Sequence, residues 1–408
     1  MDNDIDLTDL DRFVGGFPHD VFARLRGEAP VWFHPPTAHT PGGDGFWVLS
    51  RYADIVRAAN DAATFSSETG GGRDGGGTTL EDMPLGFAVG SLLNMTDDPR
   101  HAQVRKLLAP STTPRALRAM EDDLRRRAIG IVDAALARRD CDFLVDVAAE
   151  LPLQAVAELA GVPQADRHEL MDWADVTLDY DEREVGQLDD RLTRAQARMF
   201  AYGTGLLERK RARPGTDLLS IVTHARIDDE PLTENEQRMF LSLIVAAGSE
   251  TTRNSIALGM SALSEDRRAW ERLRHDRRLL PSAVEEILRW ASSTPYNRRT
   301  ATRDVVVGDQ HISAGDKVTL WWTSANRDET VFDRPDTFDI SRDPNPHLAF
   351  GRGVHFCLGA ALARMEIRVL FDVLLDRVET LTLTGPVEYV RSNKHTGVRH
   401  MPVTIDPR

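Results

Sequence analysis

Cysteine is nearly absent from this chain: Cys141 and Cys357 are the two in 408 residues. Two thiols make no disulfide framework, and they are too few for a structural zinc site or an iron–sulfur cluster. Positive charge is also short, with 50 Lys and Arg against 64 Asp and Glu and a net charge of −14. Phosphate backbones are met by clustered cations, so no nucleic-acid partner is expected. Long apolar runs are missing too. The strongest, "MFLSLIVAAG" from Met239 to Gly248, is too short to span a bilayer. The start, "MDNDIDLTDLDRFVGG", shows neither a basic n-region nor an apolar h-region, so no signal peptide and no membrane anchor is expected. These absences point to a soluble, cytoplasmic protein.

What is present is mostly helical in texture. Helical periodicity dominates from about Asp98 to Trp290. Before it, "VWFHPP" and "GFWVLS" predict a short strand pair, and "RYADIVRAAND" a helix. After Trp290, "RDVVVGDQHISAGDKVTLWWTSA" alternates β-branched residues with Gly-Asp punctuation, which predicts short strands and turns. The Pro- and Asp-rich "RDETVFDRPDTFDISRDPNPH" predicts an ordered but irregular meander. With no linker between two cores, the expected architecture is one large domain over 1–408, mainly α with a smaller β part. "GGGRDGGG", Gly70 to Gly77, is low in complexity and is expected to pack against nothing and to be mobile.

The placement of Cys357 carries the most chemistry. It sits in "HLAFGRGVHFCLGAALARME", His347 to Glu366, directly before a helix whose Leu358, Leu362, Met365 and Val369 share one face. A sulfur at a helix N-terminus meets free N–H groups and the positive dipole end, which favour a thiolate. Gly351, Gly353 and Gly359 allow close approach of something flat and large. A lone cysteine is more often a small buried hydrophobe. If it is a metal ligand, one thiolate without companions fits haem iron best, because the porphyrin supplies the other four bonds.

"FGRGVHFCLG", Phe350 to Gly359, resembles the haem-binding signature of the cytochrome P-450 superfamily, Phe-Gly-x-Gly-x-(His/Arg)-x-Cys-x-Gly, at every defined position. The resemblance implies the P-450 fold, haem b as cofactor, Cys357 as axial thiolate and iron ligand, and Phe350 and Gly351 beside the haem. Three further segments resemble the family in order. "AAGSETT" on a long helix, opened by a capping box from Thr233 to Glu236, matches Ala-Gly-x-(Glu/Asp)-Thr from Ala247 to Thr251. By resemblance Thr251 hydrogen-bonds dioxygen and Glu250 relays protons. Thr251 is also placed to bond back to the Ala247 carbonyl and loosen the helix. Small residues there, Gly248 included, leave room for dioxygen and substrate. "PSAVEEILRW", with a capping box from Ser282 to Glu285, carries Glu286 and Arg289 as Glu-x-x-Arg. In the family that pair is buried and completed by a meander arginine, for which Arg334 and Arg342 both qualify. "DDPRHAQVRKLL" and "RRTATRD" resemble the family's propionate-binding segments, although Asp98 stands where a second proline is common. They nominate His101, Arg105 and Arg299, which with His355 give four donors for two carboxylates.

The resemblance thus implies a haem-thiolate monooxygenase that inserts one atom of dioxygen into a hydrophobic small molecule. Electrons would come from NAD(P)H through a ferredoxin reductase and a ferredoxin. Lys106, Arg115, Arg118, Arg352, Arg364 and Arg368 flank the cysteine side and would form a basic patch for an acidic ferredoxin. Substrate contacts are expected from Ala246, Ala247, Thr294 and Tyr296, with the Gly-rich loop as a lid and segment 172–192 in the roof. A steroid, branched lipid or terpenoid is the expected substrate. Tailoring of a polyketide or peptide natural product is the alternative, ahead of a peroxide-using enzyme or a non-enzymatic haem protein.

Overall fold

A computed structural model describes residues 5–178 and 183–408 of the chain. The part of the expected roof at 179–182 lies outside the described residues. Helices run in the order α1 (His19–Glu28), α2 (Tyr52–Asn60), α3 (Arg100–Leu108), α4 (Pro114–Arg138), α5 (Glu150–Ala160), α6 (Arg167–Thr177) and α7 (Asp190–Ala212). They continue as α8 (Leu218–His224), α9 (Glu234–Glu265), α10 (Arg267–His275), α11 (Leu280–Ala291), a single turn α12 (Trp322–Ala325) and α13 (Ala360–Arg377).

The main sheet has five strands in the order Val31–His34, Phe46–Leu49, Lys317–Trp321, Tyr296–Ala301 and Phe65–Ser66. Lys317–Trp321 runs parallel to Phe46–Leu49, with Thr319 opposite Val48, and antiparallel to Tyr296–Ala301, with Val318 opposite Arg299. The sheet therefore joins the chain's beginning to its C-terminal third. The mainly helical fold with a smaller β part is the one expected, and the predicted strand pair and following helix fall at 31–49 and 52–60.

The central core is the seam where α4, α5, α9, α11 and α13 meet, with Val132, Phe143, Ile256, Met260, Ile287 and Phe371 among its buried side chains. α9 spans 32 residues, about 48 Å of helix. It opens on the expected capping box: Thr233 Oγ1 accepts from the Glu236 N–H, while Glu236 Oε2 accepts from the Thr233 N–H at 2.8 Å. The second capping box does not form. α11 starts two residues before Ser282, whose hydroxyl donates to the Leu279 and Ile340 carbonyls, leaving Glu285 to pair elsewhere. Pro281 in the first turn is what lets the helix begin that early.

The Gly-rich loop packs, contrary to the composition argument. Gly75–Gly76 forms an antiparallel bridge to Met83–Pro84, and a side chain at Gly76 would place its Cβ 1.7 Å from the Glu68 carbonyl oxygen. Arg73 at the loop's centre binds Asp82 at 2.9 Å, donates to the Gly315 carbonyl at 3.1 Å and pairs with Asp44. The glycines here serve backbone-to-backbone contact, which composition alone cannot distinguish from chain freedom. Among the described residues no helix is long and apolar enough to cross a membrane.

Candidate active site

The cysteine loop is built on backbone hydrogen bonds. The Leu348 N–H donates to Asn326 Oδ1 at 2.6 Å, the Gly351 N–H to the Leu348 carbonyl at 2.9 Å, and the Cys357 N–H to the Phe350 carbonyl at 3.0 Å. Gly353 has φ 75°, and a Cβ there would fall 2.1 Å from the Ala59 carbonyl oxygen, so glycine is required twice over. The helix begins at Ala360, two residues later than the sequence suggested, with Gly359 as its cap. The protein packed around Cys357 pushes its thiol up, although the residue itself is exposed at the cavity wall. The Gly359 and Ala360 N–H groups and the charges of Arg105 and Arg364 oppose that shift.

Behind this loop lies a fully bonded ion cluster. Glu286 and Arg289 on α11 are both completely buried and paired through two contacts of 2.8 Å. Arg342, not Arg334, is the third member: its Nε lies 3.1 Å from Glu286 Oε2, while Arg334 is exposed and pairs with Asp333. Arg289 also donates to the carbonyls of Asn326 and Pro335 at 2.8 Å. Because the Asn326 amide holds Leu348, a chain of bonds runs from α11 to the cysteine loop.

A cavity of about 270 Å³ separates that loop from α9. Its walls include Ala247, Gly248, Thr251 and Thr252 of α9, Thr294, Asn297, Arg299 and Trp322 from the sheet side, and Phe350, Gly351, His355 and Cys357 of the loop. Thr251 Oγ1 donates back to the Ala247 carbonyl at 3.1 Å, as the spacing predicted. The Thr251 carbonyl is in turn held by the Ser255 and Ser293 hydroxyls at 2.8 and 2.9 Å. Gly248 has a reason beyond open space: a Cβ would come within 2.4 Å of Val156 Cγ2, so glycine lets α9 and α5 pack closely.

Several expected residues lie elsewhere. Tyr296 is not in the cavity wall; its ring packs on Trp321 with centroids 4.6 Å apart, inside the N-terminal core. Strand alternation sends its neighbour Asn297 to the cavity instead, where its Oδ1 accepts from Trp322 Nε1 at 2.9 Å. Ala246 is likewise outside the wall, and Leu243, one turn earlier, takes the place. Glu250 is buried on another side of α9, toward α6, where burial and the Asp175 carboxyl push its pKa well up. Thr251 and Glu250 are thus adjacent in sequence but not on one wall.

The nominated cations form a second group. Arg299 is buried, lines the cavity and donates to the Arg298 carbonyl at 2.8 Å, yet has no carboxylate partner within ion-pair distance among the described residues. Burial lowers its pKa to about 10. His355 Nε2 is buried without a hydrogen-bond partner, and burial with the Arg299 charge holds its pKa down at about 2. The His101 ring lies tilted by 48° against that of His355, with centroids 4.2 Å apart, and its Nδ1 is 3.3 Å from Asp98. Arg105 is half-buried, makes no ion pair among the described residues, and its charge reaches both His355 and Cys357.

Sequence reasoning missed Glu366. It is 1% exposed, lines the cavity from α13, and neither carboxylate oxygen has a partner; burial raises its pKa to about 8. The signal available was its position nine residues past Cys357, one acidic side chain on an otherwise apolar helix face. Two patch residues are also spoken for. Arg364 pairs with Glu285 at 2.7 Å and lies over the Phe350 ring at 4.5 Å, and Arg368 pairs with Glu121 at 2.8 Å. Lys106, Arg115, Arg118 and Arg352 are exposed.

Sequence comparison supplies the family for this loop and cavity. The profile of the family described as Cytochrome P450 matches residues 120–388, and the chain belongs to that family. A Mycobacterium tuberculosis protein bearing the name cytochrome P450 126 is 50% identical over 98% of this chain and 97% of its own length. The methyl-branched lipid omega-hydroxylase of the same organism is 39% identical over 98% of this chain and 94% of its own. Among solved structures, the Mycobacterium marinum cytochrome P450 CYP268A2 in complex with pseudoionone is 36% identical, with a TM-score of 0.86 and coverage of 95% and 94% of the two chains. The chain is a P450 monooxygenase, an enzyme of the class that acts on hydrophobic substrates.

Proposed function

We propose that this protein is a haem-thiolate monooxygenase that hydroxylates a methyl-branched aliphatic lipid or terpenoid. The observation that carries the haem assignment is the donor set. Cys357 presents a single thiol to the cavity, and two basic side chains without carboxylate partners, the buried Arg299 and the neutral His355, line the same wall. A porphyrin supplies both complements: four iron ligands to go with one thiolate, and two propionates to pair with the free basic groups. Arg299, His355, Arg105 and His101 would hold the propionates, with Phe350 and Gly351 beside the macrocycle. Charge-assisted bonds of this kind are worth about 1.5–3 kcal/mol each. When bound, the haem supplies the activation of dioxygen, favoured by electron donation from the thiolate.

The chain's own residues then have distinct tasks. Thr251 exposes a hydroxyl to the cavity with its proton committed to Ala247, so it accepts or donates a hydrogen bond there by rotating about one torsion. Glu250, kept protonated by burial, is the proton donor. Leu243, Ala247, Thr294 and Leu362 supply apolar contact for substrate. The substrate class rests on two names, the branched-lipid hydroxylase and the pseudoionone complex, since pseudoionone is itself a methyl-branched chain. Tailoring of polyketide or peptide products is the alternative. NAD(P)H would reduce the site through a ferredoxin reductase and a ferredoxin docking on the face of Lys106, Arg115, Arg118 and Arg352.

The test is a ferric absorbance titration of the haem-loaded protein against methyl-branched fatty acids, terpenoids, steroids and macrolides. A low-spin to high-spin change confined to branched chains supports the assignment, and one confined to macrolides overturns the substrate class. Failure of Cys357→Ala to alter the haem spectrum would remove Cys357 as the ligand.

A further inference from the structure

The chemistry above makes no use of Glu366, although it stands in the same cavity as Cys357. Gly359, Leu362, Ala363 and Glu366 recur every three or four residues, so they share one face of α13, and all four line the cavity. Seven residues of helix place Glu366 about 10 Å along the axis from the cysteine turn. It is 1% exposed, and both carboxyl oxygens are buried without a hydrogen-bond partner.

No neighbouring charge governs this carboxyl; burial alone raises its pKa, to about 8. The charged side chains on the elements packed against α13 are committed elsewhere. Glu286 and Arg289 of α11 hold each other, while Glu121 and Arg125 of α4 pair with Arg368 and Asp372. Glu285 of α11 pairs with Arg364, Glu150 of α5 with Arg167, and Arg274 of α10 with Glu379 on the strand after α13. On α9, Arg253 pairs with Asp175, and Glu250 is turned toward α6. The other ionisable groups on the cavity wall are Arg299, Arg352, His355 and Cys357, and none of them contributes to the shift of Glu366.

We propose that Glu366 is a redox-linked proton site: it takes up one proton from solvent when the bound haem gains an electron and releases it on reoxidation. This rests on the haem-thiolate reading. A ferric iron, a porphyrin dianion and one thiolate sum to zero charge. One electron from the ferredoxin makes that sum −1, and an uncompensated carboxylate in the same poorly solvated cavity is then disfavoured. The balance is one electron to the cofactor and one proton to Glu366, with no other bond made or broken. At a charge separation of about 10 Å and an effective dielectric constant of about 20, the electron raises the proton affinity on the order of tenfold. Linkage is reciprocal, so protonation shifts the reduction equilibrium by the same factor, about 59 mV for one electron.

The test is a spectroelectrochemical titration of the haem-loaded protein from pH 6 to pH 10, for wild type and Glu366→Gln. Thermal unfolding and the ferric spectrum check fold and haem content. Reduced-minus-ferric infrared spectra are recorded at pH 8.5 in H₂O and D₂O. The wild-type potential should be level at low pH and fall by about 59 mV across a step centred between pH 8 and 9. Glu366→Gln should keep the low-pH value throughout. A protonated-carboxyl band should grow on reduction of wild type and be missing from the variant. A level wild-type potential overturns the proposal whatever the variant does. An equal fall in Glu366→Gln also overturns it, because the proton then goes to another group. Either result, obtained with the haem spectrum intact, leaves the haem assignment standing. A protein that binds no haem, or a Cys357→Ala variant with an unchanged spectrum, sinks the haem-thiolate reading and this proposal with it.

Discussion

Glu286 and Arg289 sit behind the cysteine loop at 0% exposure, and every charged atom of the pair is bonded: to each other, to Arg342, to Asn345 and to backbone carbonyls. Glu366 sits at 1% exposure across the cavity floor with neither oxygen bonded, and Arg299 and His355 line the same cavity without an acidic partner. Glu366 and Arg299 are buried as the ion pair is, and satisfaction is opposite. Charges that hold the loop in place are paired within the chain. Polar groups that face the cavity are left for something the chain does not itself contain. Buried groups without partners cost free energy, so a fold retains them where they have a use.

The largest effect is expected where the pairing is complete. Glu286→Gln keeps the shape but leaves Arg289 and Arg342 buried against a neutral amide. Breaking a buried pair this way costs about 3–5 kcal/mol. Urea unfolding should show a lower midpoint at unchanged slope, and haem uptake should fall because Asn326 and Leu348 lose their anchor. A cost below about 1 kcal/mol, the range of an exposed pair, would erase the distinction between the two regions.

Much of this was legible in the sequence. The ten residues around Cys357 carried the loop, its glycines and the helix after it, and the long helix was marked by its capping box and by Thr251 nearly five turns inside. Direction was harder to read than position. Glu250 and Thr251 are neighbours, but a helix turns about 100° per residue, so one faces the cavity and the other faces α6. Tyr296 was nominated for the cavity, but the two-residue period of the strand sends it to the core and its neighbour Asn297 to the cavity. The glycine loop was misread for a different reason. Close backbone approach to Glu68 is a tertiary contact, and a run of glycines announces conformational freedom whether or not the fold uses it. Glu366 was overlooked because one acid on a helix is ordinarily a solvated one.

The second comparison is between Glu366 and its own amide. In the unfolded chain its carboxyl loses a proton near pH 4.5, while the folded protein holds that proton to about pH 8. Between those values the unfolded state binds fewer protons, so unfolding free energy falls as pH rises, then levels off above pH 8. Glu366→Gln has no proton to lose. The variant should gain on the order of 2–4 kcal/mol over wild type at pH 8 and almost nothing at pH 4. Denaturant unfolding of both proteins across that range checks it. Parallel pH curves would mean that Glu366 finds a partner the buried pocket does not display, and it would then belong with Glu286.

The smallest effect should come from Arg368. Its pair with Glu121 has a good distance, 2.8 Å, but the two side chains are 36% and 31% exposed. At that exposure water screens the attraction, and ordering two long side chains opposes it, leaving about 0–1 kcal/mol. Arg368→Ala should therefore shift the unfolding midpoint barely, and less still in high salt. Because Glu121 already neutralises it, the same variant should leave the rate of reduction by an acidic ferredoxin nearly unchanged. Arg352→Glu, at an exposed arginine on the cysteine side, should slow that rate, with a slowing that fades as salt is added. Equal slowing by both variants would mean that pairing does not decide which surface cations a partner feels, and the rule drawn from the buried charges would stop at the surface.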